Sequence, residues 1–98
     1  MPTTGEDTIA HAILQIAAQQ PDGLASYDLI RQEIPNILPL TQDDLAPSET
    51  RPNEPMWHQI MRNVQSHHAQ EGNYIFEGYL QHVPREGYRI TPLGRTRT

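Results

Sequence analysis

The sequence predicts an α+β domain with three main α-helices, one short helical turn and a C-terminal β-hairpin. Three observations lead there. Apolar residues recur at three- and four-residue spacing in three separate stretches, the period of a helix with one buried face. Two short apolar runs, 79–83 and 88–90, flank the turn sequence Pro84-Arg85-Glu86-Gly87. The 98 residues, with no internal repeat or low-complexity tract, suit a single domain with one modest core. Only 36% of the residues are hydrophobic and the mean hydropathy is −0.67, so that core is drawn from few side chains.

Taken in order, residues 1–6 are expected to fray. Asp7 or Thr8 can cap a first helix reaching Gln20, where Pro21-Asp22-Gly23 ends it. Ile9, Ala12, Ile13 and Ile16 form its apolar strip, widened by Ala10, Leu14 and Ala17. So wide a strip implies a helix central to the core or, alternatively, a homodimer contact through this helix. Gly23-Leu24-Ala25 can form a stub strand. Ser26 offers an N-cap for a second helix, with Asp28 in its first turn, where the helix dipole favours an acid. Leu29, Ile30 and Ile34 point inward, and Pro35 is expected to end the helix because it lacks a backbone donor. Thr41 and Asp44 are spaced as a capping box for the short helical turn over 40–45.

Residues 46–55, APSETRPNEP, hold three prolines and almost nothing apolar, and are read as a loop. A third helix is expected over 55–70, capped by Asn53 and admitting Pro55 in its first turn. Trp57, Ile60, Met61 and Val64 fall on its inner face. His68 falls on that side too and is expected to be partly buried. Gln59, Arg62, Asn63 and Ser66 fall on the outer face. A partial strand over 74–76 can pack beneath the hairpin. Thr91-Pro92 can cap a closing helical turn, with 95–98 loose.

Helix followed by hairpin, with a polar outer face on the helix, is the arrangement of a winged helix. Arg, Asn, Gln and Ser are the side chains that hydrogen-bond base edges in a DNA major groove. Gln59, Arg62, Asn63 and Ser66 are therefore candidate base and phosphate contacts, against the plainer alternative of a solvated helix face. Arg85 and Arg89 are candidate wing contacts, although Glu86 offsets the charge of Arg85. The net charge of −5 argues against a protein that simply coats nucleic acid. The charge is uneven, however. Residues 1–55 carry nine acids and two arginines, a balance of −7, whereas residues 56–98 carry three acids and five arginines, a balance of +2. This asymmetry predicts that Arg62, Arg85 and Arg89 converge on one positive patch, apart from the carboxylates of the first half.

The acidic patch 40–45, the Pro-rich loop, the Trp-containing helix and the closing Gly87-Tyr88-Arg89-Ile90-Thr91-Pro92-Leu93-Gly94-Arg95 together resemble the N-terminal winged-helix domain of Mrr-type restriction proteins. The resemblance covers residues 24–95, with GYRITPLGR its most specific piece. It implies a module that reads double-stranded DNA. In that family the module precedes a nuclease domain, for which 98 residues leave no room, so recognition without cleavage is the expectation.

Other chemistries find little in the sequence. Cysteine is absent, which excludes disulfides, thiolate zinc sites and cysteine catalysis. His67 and His68 are adjacent on a helix, roughly 100° apart, and cannot chelate one ion from it. Ser26, Ser48 and Ser66 lack a glycine elbow, and no Gly-rich phosphate loop exists. Neither catalysis nor a cofactor or metal is expected. The opening MPTTGEDT has no basic or apolar region of a secretion signal, so a cytoplasmic setting is expected. The rival reading is a winged helix used as a protein-contact adaptor without DNA binding, which the acidic balance would suit.

Overall fold

Seven apolar residues of the first helix decide the architecture. The computed structural model describes residues 3–98; Met1 and Pro2, within the segment expected to fray, lie outside the described residues. Helix α1 (Glu6–Ala18) buries Ile9, Ala10, Ala12, Ile13, Leu14, Ile16 and Ala17. These side chains sit in the core of the chain itself, so the strip that could have served a dimer is occupied within the monomer. The central alternative is the one observed.

Around α1 stand β1 (Leu24–Ser26), α2 (Tyr27–Ile37), α3 (Gln42–Leu45), α4 (Met56–Ser66), β2 (Leu80–Val83), β3 (Gly87–Ile90) and a 3-10 turn (Gly94–Thr96). Among the described residues the domain is α+β: four α-helices and a three-stranded antiparallel sheet in the order β1-β3-β2. Leu24, Ala25 and Ser26 face Arg89, Tyr88 and Gly87, while Leu80 and His82 face Ile90 and Tyr88. The stub strand thus becomes an edge of the hairpin's sheet. Gly87 permits it: a Cβ there would lie 2.0 Å from the Ala25 carbonyl oxygen. Strand alternation turns Tyr88 and Ile90 into the core and Arg89 away from it. The hairpin closes through the Glu86 N–H donating to the Val83 carbonyl at 3.0 Å. Arg85 has φ 68°, the left-handed third position of a type II turn opened by Pro84.

Several boundaries differ from the sequence expectation, each for a local reason. The N-cap of α1 is Gly5 rather than Asp7 or Thr8, and the helix ends at Ala18 rather than Gln20. Thr4 and Glu6 are anchored by tertiary partners, which pulls the start toward the N-terminus. Pro35 does not end α2, which runs on to Ile37. It sits in the last turn, where the donor it lacks costs one bond, and the Leu38 N–H still donates to Ile34 at 2.9 Å. Pro55, not Asn53, is the N-cap of α4, and the helix stops at Ser66.

Asn73 accounts for the early stop. Its buried amide donates to the Val64 carbonyl at 2.9 Å, and its Oδ1 accepts from the Ile75 and Phe76 N–H groups at 2.7 and 3.2 Å. It thereby satisfies a helix-end carbonyl and folds 74–76 into a turn, where a partial strand was expected. His68, carried past the helix end, is exposed and bonds the Gln65 carbonyl through Nδ1. The closing residues are held as well: the Arg97 guanidinium lies over the Tyr79 ring, 4.8 Å from its centroid.

The capping box of Thr41 and Asp44 forms as the spacing predicts. Asp44 does more than cap. Its carboxylate is fully buried and accepts from the Thr4 N–H and hydroxyl, both at 2.6 Å, and from the Thr41 N–H at 2.8 Å. Burial alone would raise its pKa, but these donors outweigh it and hold the group below its ordinary 3.8. The stability this contributes is complete above that ordinary value and is lost as pH falls through the lowered one. Asp44→Asn turns an amide N–H toward donors and should destabilise the fold by about 1–3 kcal/mol at neutral pH. In urea denaturation the gap between the two proteins should close as pH is lowered past 3.8.

Candidate functional site

Four of the six residues singled out in the sequence share one surface. Gln59, Arg62, Asn63 and Ser66 lie at helical spacing on the outer side of α4. With Tyr27, Thr50, Arg51 and Gln65 they line an open polar groove of about 420 Å³. Arg85 lies on an adjoining groove with Ser26, Asp28, Arg31 and Glu86, and Tyr27 contributes to both. Arg89 lines neither, because alternation along β3 sends it to the sheet face opposite Tyr88 and Ile90. The expected convergence of Arg62, Arg85 and Arg89 is therefore reduced to Arg62 and Arg85 on neighbouring grooves.

Other arginines take the place of Arg89, and they come from the acidic half. Arg51 projects from the 46–55 loop and Arg31 from α2. Arg51 lines the groove of Arg62, Arg31 lines the groove of Arg85, and Tyr27 is shared by the two. Arg31 and Arg62 both act electrostatically on Tyr27 and on His58. Burial, joined by these two positive charges, holds His58 below its ordinary 6.5 despite the opposing pull of Glu54. Burial raises the Tyr27 phenol, with its bond to Tyr88 and the same two cations pulling the other way.

Nor are the carboxylates of the first half kept apart. Glu54 Oε2 accepts from Arg62 Nη1 at 2.7 Å, and Glu54 Oε1 lies 3.9 Å from Arg51 Nη1. The bond from Arg62 is the main reason the Glu54 carboxyl is held below its ordinary value. Among the described residues, Arg62 Nη2 is the one buried side-chain nitrogen or oxygen without a hydrogen-bond partner. Gln59 is also engaged: its Oε1 accepts from the Ser48 hydroxyl at 2.5 Å and faces the Thr50 hydroxyl at 3.4 Å. Ser66 Oγ donates weakly to the Arg62 carbonyl at 3.4 Å and remains exposed.

The loop that supplies these partners is closed on itself. Pro47 and Pro55 form an antiparallel bridge, Ser48 N–H donates to the Glu54 carbonyl at 2.8 Å, and Met56 N–H donates to Ala46 at 2.7 Å. Ser48 is buried, and its Oγ also lies 3.3 and 3.4 Å from the Thr50 and Arg51 N–H groups. Comparison of the chain with protein-family models, curated proteins and solved structures finds no match.

Tyr27, Arg31, Ser48, Arg51 and Glu54 were not among the residues the sequence marked. Glu54 and Arg62 are eight residues apart across a helix start, a spacing with no periodic signal. The prolines at 47 and 55 that close the loop were the available hint, legible only once they are known to pair. Ser48→Ala leaves the Gln59 carbonyl oxygen short of a donor and unfastens the loop. It should destabilise the protein by about 1 kcal/mol in urea denaturation and raise the amide hydrogen exchange of Thr50 and Arg51.

Proposed function

We propose that this chain is a non-catalytic winged-helix reader of double-stranded DNA, acting alone or as a small transcriptional or restriction-associated regulator in the cytoplasm. In this reading α4 is the recognition helix and the β2–β3 hairpin is the wing. One observation carries it: Arg62, Asn63 and Ser66 share an open polar groove with Arg51 and Tyr27, next to a second groove bearing Arg31 and Arg85. Arg and Asn are the residues suited to guanine and adenine edges, and Arg is suited to bidentate phosphate contact. The element order and the antiparallel sheet fit this architecture, and the GYRITPLGR resemblance to the N-terminal domain of Mrr-type restriction proteins points the same way. A single recognition helix covers few base pairs, so two copies per target site go with this reading.

The backbone at Arg85 adds support. A non-glycine residue at φ 68° is strained, and strain of this kind is retained where a side chain is needed. Arg85→Gly should therefore raise the urea midpoint while weakening DNA binding, a split that an idle turn residue does not produce.

A second reading, a winged helix used for protein contact, draws on the engagement of Gln59 and Arg62 by the 46–55 loop and on the net charge of −5. Titration of duplex DNA at several salt concentrations separates the two. The DNA reader requires log affinity to fall linearly with log salt, by about 0.9 per phosphate contact. Arg62→Gln should then cost about 1–3 kcal/mol of binding and relax preference at one base pair. Absence of binding at every salt concentration would leave the protein-contact reading.

A further inference from the structure

The 46–55 segment meets the polar face of α4 in a way that a loop merely spanning two helices does not require. It supplies the acid that engages Arg62 and the hydroxyls that engage Gln59. The guanidinium is nevertheless incompletely satisfied, since its Nη2 is buried with no acceptor. Ala46, Pro47 and residues 49–53 are exposed, so few apolar contacts resist displacement of the segment. The segment stays tethered at its base through the Met56 N–H bond to Ala46, outside the Ser48 N–H bond to Glu54.

We propose that residues 46–55 form a latch that holds Arg62 and Gln59 in the free protein and is released when a nucleic-acid phosphate replaces the Glu54 carboxylate as the partner of Arg62. The exchange conserves charge pairing: one anionic oxygen acceptor substitutes for another, and a phosphate can also reach the second guanidinium nitrogen. Apparent affinity in the free protein is lowered by the fraction of molecules in which the latch is closed. This proposal rests on the DNA reading above, and the tests are chosen so that the two can fail separately.

Glu54→Gln removes the ionic hold, and Glu49→Gln removes the same charge from an exposed position of the same loop. In duplex-DNA titrations at fixed salt, Glu54→Gln should bind about fivefold more tightly than the wild type, and Glu49→Gln less than about twofold. The gain should vanish when Glu54→Gln is combined with Arg62→Gln and compared with Arg62→Gln alone. In the wild-type chain, adding duplex DNA should speed amide hydrogen exchange at Ser48, whose N–H is bonded to the Glu54 carbonyl. This readout does not depend on a variant folding. Equal gains from both substitutions, a loss from Glu54→Gln, or an unchanged Ser48 amide in a protein that does bind DNA would overturn the latch and leave the DNA reading standing. Absence of duplex binding by every form would overturn both.

Discussion

The buried hydroxyl of Tyr88 is the constraint on which the other parts depend. Its ring is fully buried and its oxygen donates to the Met61 carbonyl at 2.8 Å, fastening the hairpin to the middle of α4. Burial pushes this phenol far above its ordinary range, so it stays a neutral donor. The Tyr27 ring meets it edge-on, 5.8 Å between centroids, and the Tyr27 hydroxyl is 2.9 Å from His82 Nε2. Burial, with a smaller contribution from the charge of His68, keeps His82 below its ordinary value. One aromatic cluster thus joins α2, α4, β2 and β3.

That cluster sets the geometry of the grooves. Tyr27 is the wall common to both, and it cannot move without disturbing Tyr88 and the helix behind it. The floor of the larger groove is α4, whose inner side is anchored by Trp57, Ile60, Met61 and Val64. The outer residues are therefore presented by a rigid element rather than by a mobile loop, which is the condition for a defined recognition surface. The opposite wall is the 46–55 segment, exposed except at Ser48, Glu54 and Pro55.

Electrostatics divides this surface differently from the chain. Along the sequence, acids dominate the first half and arginines the second. In space, Arg51 from the first half shares a groove with Arg62 from the second, Arg31 lies on the adjoining groove, and Glu54 sits between Arg51 and Arg62. The Glu54–Arg62 pair is half-buried, and it leaves the second guanidinium nitrogen without an acceptor. A partner bearing strong anionic oxygens can compete for it, whereas a neutral surface meets an already paired site.

The sequence by itself determined the elements: the helical periods of α1, α2 and α4, the capping box at Thr41 and Asp44, the hairpin turn, and the outer face bearing Gln59, Arg62, Asn63 and Ser66. These rest on interactions within a few residues, which spacing and residue type encode directly. Tertiary structure decided the rest. Asn73 ended α4 by reaching back to Val64, Asp44 fastened Thr4 from forty residues away, and strand alternation turned Arg89 from the site that Arg31 and Arg51 joined. Each of these depends on packing that brings distant backbone and side chains together, and no local period carries that information.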